Sequence, residues 1–475
     1  MHRTGIIAGL LSLALTTAAR GQSVEDLRQS QERLQKLVED QQKRIDDLER
    51  RLREAPSQPV TPPDTKMAEL ELRLKEMETR SEKAGPADAA SRGELIVGKS
   101  RLKFYGFLRM DAIYDDSRPN NTHTIGWIRS EDQSAPPAIG APDDAADLTF
   151  HPRLTRFGLD LDGPVVSGLG DAKVNGKLEI DFYNNSLQPQ FESRAAIRMR
   201  HAYTKLAWGD FNVLAGQTSD VISPIWPIVN ADLVMWGAGN LGDRRPQIRP
   251  EWTPAIGESR LIVQGEVGLT GAQDGSDIDP AGSTGAGYRD GETSGLPTVQ
   301  GRVALRLPVG EKKQNIEVGV WGHRAWEDPD IQLDGQDKFD SYAAGVDLTL
   351  PIIGDVLWLK SEAWVGTNLD DVRGGIFQGI NTVTGDEIAS KGGWVEVGVR
   401  PIGWYNLSVG YSTDDPDNDD LNAGGRAANK IWYVANRFNF DPVEFGVDYM
   451  NWTTKYVGFG DGDDNRIQAF VTYKF

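Results

Sequence analysis

The sequence predicts an all-β transmembrane barrel of sixteen antiparallel strands, preceded by an α-helical coiled coil. Three observations predict the barrel. From Lys103 onward apolar and polar side chains alternate with period two in sixteen runs. The connections between runs alternate between tight turns and long loops, which places all the turns on one rim and all the loops on the other. No later segment approaches the ~18 uninterrupted apolar residues that a membrane helix needs.

The elements before the barrel are read in chain order. Residues 1–21 form an export signal, with Arg3 as its positive end, Ile6 to Leu15 as its apolar stretch, and Ala19-Arg20-Gly21 as the small-residue cleavage site. Residues 22–54 form a periplasmic coiled coil: Val24, Val38, Ile45 and Leu52 fall at heptad position a, and Leu27, Leu34 and Leu48 at d. So narrow a seam needs a partner helix, and Gln31 and Gln41 within it give up stability to set register. Residues 55–66 contain Pro56, Pro59, Pro62 and Pro63 and make a semi-rigid linker. Met67, Leu70, Leu74 and Met77 make a second short coiled coil over 67–83. Residues 84–102 are predicted to be a flexible hinge, and 103–475 the barrel.

The sixteen runs are 103–115, 153–162, 172–182, 194–208, 210–218, 247–253, 260–269, 297–307, 314–326, 339–351, 356–368, 391–401, 403–413, 428–438, 442–453 and 464–475. Most approach the ~9–11 residues of a tilted membrane strand. In the third, Val174, Leu178, Ile180 and Phe182 oppose Asn175, Lys177, Glu179 and Asp181. In the fourteenth, Ile431 and Tyr433 compete with Trp432 and Val434 for the outer face. The last run alternates up to Phe475, with Phe470 as the exception.

Composition narrows the function. A formal charge of −19 argues against a nucleic-acid partner. The absence of cysteine leaves an exported chain to be held by sheet closure and assembly. A mean hydropathy of −0.45 suits a barrel, in which half of each strand and all the loops are polar. His123, His151, His201 and His323 lack metal-ligand spacing, the acidic run from Asp415 fails the calcium-loop pattern at Asp420 and Arg426, and no nucleophile motif occurs. An enzyme, a cofactor and a bound metal are therefore not expected.

With the apolar face outward, Arg109, Arg156, Lys177, Arg198, Arg200, Arg302 and Arg306 project into the lumen. Guanidinium groups there attract and orient carboxylates. The alternative is that ion pairs such as Arg109 with Asp111 or Asp160 simply solvate the wall. The third long loop, 219–246, carries Trp226 and Trp236 within apolar stretches unsuited to solvent, and Arg244, Arg245 and Arg249 follow it. An inward fold would make it an anion-selective constriction; the alternative is that it clasps a neighbouring subunit.

Two motifs carry a resemblance. Leu102-Lys103-Phe104-Tyr105-Gly106-Phe107-Leu108-Arg109-Met110-Asp111-Ala112-Ile113-Tyr114-Asp115, following a coiled coil, and Arg153-Leu154-Thr155-Arg156-Phe157-Gly158-Leu159-Asp160 resemble the first and second strands of the DcaP-like porin family. The terminal run is similar to the last strand of outer-membrane barrels, whose final Phe is read by the assembly machinery. The family resemblance implies a homotrimeric sixteen-stranded channel for dicarboxylates and other small anions. It places the channel in a Gram-negative-type outer membrane, among lipid and lipopolysaccharide, with its arm in the periplasm. Arg109 and Arg156 are the only lumen candidates inside the matching motifs, and this arm is more interrupted than the family's. A phosphate-selective or general porin, or an anchor whose coiled coil tethers it in the periplasm, is the alternative.

Overall fold

A computed structural model describes residues 94–475 except 98, 122, 142–144, 185–195, 231–232, 272–292, 311–313 and 329–334. The export signal, both predicted coiled coils and the Pro-rich linker lie outside the described residues, as does the hinge before residue 94.

Sixteen long antiparallel strands form a closed barrel. They are β1 (Ser100–Asp115), β2 (Arg156–Val166), β3 (Ala172–Asn184), β4 (Ala196–Trp208), β5 (Phe211–Ser219), β6 (Arg244–Trp252), β7 (Ser259–Gly268) and β8 (Thr298–Val309). They continue as β9 (Gln314–Glu327), β10 (Phe339–Ile353), β11 (Leu357–Thr367), β12 (Ala389–Ile402), β13 (Tyr405–Pro416), β14 (Arg426–Phe440), β15 (Val443–Tyr456) and β16 (Phe459–Lys474). Each strand pairs with the next, and β16 returns to β1 in the register Ile467↔Tyr114 through Lys474↔Phe107. Closure removes the exposed sheet edges that hydrocarbon cannot satisfy. All sixteen predicted runs overlap these strands in order.

The first strand begins before residue 103. Below its pairing with β16, the N-terminal end of β1 would leave an open edge. Glu94–Val97 covers that edge, pairing Glu94↔Lys103 through Val97↔Ser100, so the end of the predicted hinge is extended chain. A further short strand, Asp147–His151, pairs with the other end of β1.

Tight links at 209–210, 354–356, 403–404 and 441–442 lie on one rim. Loop 1 (116–155), loop 3 (220–243), loop 4 (269–297) and loop 6 (368–388) lie on the other. The outward face is an apolar belt that includes Leu108, Met199, Val320, Val397 and Val471, all exposed. Aromatic residues border it. Phe104, Phe157 and Phe475 stack near the turn rim with ring centroids 5.5–6.2 Å apart, and Trp432 meets Tyr449 at 5.0 Å towards the loops. A belt of this kind faces lipid.

The inner face is of two kinds. On β2 to β4 it is charged. On β9 to β15 it carries Trp321, Trp364, Trp394, Tyr433 and Trp452, all buried. Loops 1 and 3 fold inward and cover this second half. Ile125, Ile128, Val229, Met235 and Ala238 pack on Ile431, Tyr433, Met450 and Trp452. The mixed fourteenth run is thereby explained: Trp432 faces lipid, while Ile431 and Tyr433 face loops inside the barrel.

Candidate functional site

Loop 3 is pinned along its length by carboxylates on the wall. The Val221 amide donates to Glu266 on β7 at 3.0 Å, Ile225 to Glu362 on β11 at 3.1 Å, Ile228 to Glu396 on β12 at 2.7 Å, and Asn230 to Asp448 on β15. Pro224 and Pro227 lack an N–H and so make no demand between these anchors. The following turn sits against the wall backbone. Gly239 has φ +110, and a Cβ there would collide with the Gly393 carbonyl. Its own carbonyl accepts from the Trp364 indole at 2.7 Å. Only a glycine fits so close an approach.

At its base the loop is latched by a buried ion pair, Arg245 Nε to Asp220 Oδ1 at 2.8 Å. Burial opposes the Asp220 charge, but Arg245 overrides it and holds the carboxyl below its usual 3.8.

The predicted basic residues fall into three groups. Arg109, Arg245, Arg249 and Arg302 are bound into the wall, and Arg306 is paired there but stays 42% exposed. Arg109 pairs with Asp111 at 2.7 Å, one of the two partners its sequence position allows, holds Asn230 of loop 3, and lies 3.9 Å over Phe470. Arg302 is shared between Asp347 at 2.6 Å and Glu317 at 2.8 Å, and Arg306 also pairs with Glu317. Arg249 contacts Gln247, the Ser219 carbonyl and Glu266.

The second group converges. Arg198 forks onto Asp181 at 2.9 and 2.7 Å, and Arg200 reaches both Glu179 at 2.7 Å and Asp181 at 3.0 Å. Arg156 stands 3.5 Å from Glu179. Arg244 lies 5.9 Å from Trp226 and 5.8 Å from Trp236, so both loop-3 tryptophans flank its guanidinium. Asp243 also acts on Arg198 and Arg244 but is itself paired with Arg373, so five guanidinium groups against three carboxylates leave a local formal charge of 5 − 3 = +2. Arg200 and Arg244 are buried; the Arg156 and Arg198 side chains are 23% and 27% exposed and present the excess to the lumen. Lys177 is the third case, neutralised at its edge by Asp160 at 3.1 Å and bonded to Tyr105 at 2.9 Å.

A cavity of 580 Å³ lies along loop 3, lined among others by Trp226 and Trp236 of the loop and by His201, Arg249, Gln264 and Lys360 of the wall. The wall carboxylates Glu362, Glu396 and Asp448 were not among the sequence candidates. Their signal was present: each shares an inward face with a bulky apolar residue, Trp364, Trp394 or Met450, which marks a wall to be covered.

A closed sixteen-stranded barrel, apolar outside and crossed inside by its third loop, is a fold found among the solved outer-membrane channels. The solved structures agree. The outer membrane channel DcaP of Acinetobacter baumannii superposes with a TM-score of 0.59 at 18% identity, over 79% of this chain and 97% of that one. OmpF of Salmonella typhi, in complex with daunomycin, gives 0.51 at 13% over 80% and 100% of the two chains. The anion-selective porin from Comamonas acidovorans gives 0.50 at 13% over 79% and 100%. At these identities the likeness is one of fold, and the fold is that of the DcaP-like porins. No protein-family model matches the sequence, and no curated protein matches it.

Proposed function

We propose that this barrel is a passive outer-membrane channel for small anionic solutes, dicarboxylates above all. The observation that carries the reading is the asymmetry of the lumen. On the β11 to β15 side, loop 3 covers the wall carboxylates and occupies them with its own amides. On the β2 to β4 side, Arg156 and Arg198 remain open beside carboxylates that the guanidinium groups outnumber. The net charge of −19 points the other way, but location outweighs sum. Loop carboxylates in bulk solvent are screened over ~8 Å at physiological salt. A guanidinium at a narrow, partly desolvated point is screened less and binds carboxylate bidentately. The Comamonas acidovorans porin, a barrel of the same fold, is anion-selective, which supports such selectivity here.

In the same reading the chain assembles as a homotrimer amid lipid and lipopolysaccharide, uses Phe475 as its signal to the assembly machinery, and extends its coiled coil into the periplasm.

Reversal potential in a planar bilayer tests the selectivity. Arg156→Gln with Arg198→Gln removes two partly exposed charges and spares Arg200, which keeps both Glu179 and Asp181 paired. The local charge falls from +2 to 0. The expected result is a shift of the reversal potential towards cations and on the order of tenfold weaker block by succinate, the worth of one charge-assisted bond. Cation selectivity in the unmodified channel at physiological salt would leave a general porin. Stronger block by phosphate than by succinate would leave a phosphate-selective one.

A further inference from the structure

Arg244 opens β6 where loop 3 rejoins the wall, and its side chain is buried. Among the described residues no atom forms a hydrogen bond or an ion pair with its guanidinium. The Nε is buried without an acceptor, and the two terminal nitrogens form an open edge. Asp243 is the carboxylate that attracts it, but both oxygens of that group are taken. Oδ2 pairs with Arg373, and Oδ1 accepts from the Arg244 backbone amide at 2.7 Å. Arg200 and Arg198 each repel Arg244 more strongly than Asp243 attracts it. Trp226 and Trp236 offset part of this through their ring faces. A buried guanidinium with an unused edge is costly unless an anion comes to it.

Lys360 is a second such cation. It lies on β11, shares the inward face of Glu362 and Trp364, and is partly exposed. Among the described residues it too has no hydrogen bond and no ion pair. Its charge acts at longer range on Glu396, whose Oε2 already accepts from the Ile228 amide and the Tyr433 hydroxyl. The two cations border one space. The 580 Å³ cavity along loop 3 is lined by Trp226, Trp236 and Asp243, which flank Arg244, and by Lys360 from β11.

We propose that Arg244 and Lys360 are the two anchors of one dicarboxylate site in this cavity. Arg244 takes one carboxylate across its open edge, and Lys360 pairs with the other from β11. The division follows from their chemistry. A planar guanidinium fits a carboxylate by two parallel bonds, whereas an ammonium is a point charge on a flexible stem that follows a mobile second group. The strands β6 and β11 are not neighbours in the sheet, so a solute needs two separated charges to engage both. A monocarboxylate engages one. The site rests on the anionic reading of the channel and assigns, within it, the residues that tell two carboxylates from one. Arg156 and Arg198 set the field that draws anions in; Arg244 and Lys360 set which are held.

The test is block of single-channel current in a planar bilayer by succinate and by butyrate, which keeps the chain length and loses one carboxylate. In the full-length parent, succinate should block about tenfold more strongly than butyrate, the worth of one charge-assisted bond. Lys360→Gln should erase most of that ratio by weakening succinate alone, and Lys360→Arg should restore it. Lys360 makes no bond among the described residues, so both variants should close as the parent does. Arg244→Gln should weaken both blockers. Lys391→Gln, on the exposed outer face, should change neither. An anion-selective channel whose succinate-to-butyrate ratio survives Lys360→Gln overturns this site and leaves the channel's function standing, as does block that Arg244→Gln leaves unchanged. Cation selectivity in the parent overturns both.

Discussion

Phe470 breaks the alternation of the last strand because it is held between two cations. Arg109 lies 3.9 Å and Arg437 5.0 Å from its ring, and both arginines also grip loop 3, at Asn230 and at the Ile228 carbonyl. An inward aromatic residue is tolerated there because the loop excludes water from it. Phe475 has the opposite environment. It is 44% exposed on the outer face, stacks on Phe104 at 5.5 Å, and exchanges two backbone hydrogen bonds with Gly106 at 3.0 and 3.1 Å. Deleting it strands both Gly106 groups at the barrel seam and removes one ring of the girdle. Folded barrel recovered from outer membranes should therefore fall, while conductance per channel stays unchanged because the residue never meets the lumen. Heat-modifiability on gels together with bilayer recording checks this, and normal folded yield after deletion sinks it.

Loop 3 behaves as an interior element rather than as a loop. Glu362 alone accepts from the Ile225 amide, the Ser223 hydroxyl and the Trp394 indole. Glu362→Ala strands the buried Trp394 indole at about 1–3 kcal/mol and frees the part-buried Ile225 amide, while the Ser223 hydroxyl can turn to Asn240 Oδ1 at 2.9 Å. The barrel should still close, since the strand ladder is intact, but loop 3 should loosen. Larger and noisier single-channel conductance and faster proteolysis within 220–243 are the expected outcomes; unchanged conductance and protection would show that the loop is held by packing alone. Acid should release the latch at its base only below the ordinary carboxylate value. The folded Asp220 value is depressed, so the pair stabilises above the unfolded value near 3.8 and is lost only as pH falls through the lower folded one.

For the whole molecule, the closed sheet is self-sufficient in hydrogen bonds but presents an apolar belt on every side, part of which is available for a second copy. Mass photometry of detergent-purified protein should show three chains. Removing residues 22–93 should weaken that assembly without abolishing it, because the barrel wall supplies contacts of its own. A purely monomeric barrel contradicts both statements.

Period two, the sorting of short and long connections and the terminal aromatic residue determined by themselves the strand count, the order and the lipid-facing side. These properties are local: an alternating run can bury only one face, whatever lies elsewhere in the chain. Phe470, Ile431 and Tyr433 were legible only as exceptions, since the loops that cover them come from far earlier in the chain. The fate of the arginines was decided by the tertiary structure alone. Alternation places Arg109, Arg198 and Arg302 alike inside the barrel, yet Asp347 neutralises one, Asp111 and Asn230 fix another, and Arg198 stays partly open. Likewise Glu327 and Asn368 stand 41 residues apart and meet only because β9 and β11 end at the same rim. Which charge neutralises which depends on cross-strand register and on loops folding back through the lumen, and neither is written in the spacing of neighbouring residues.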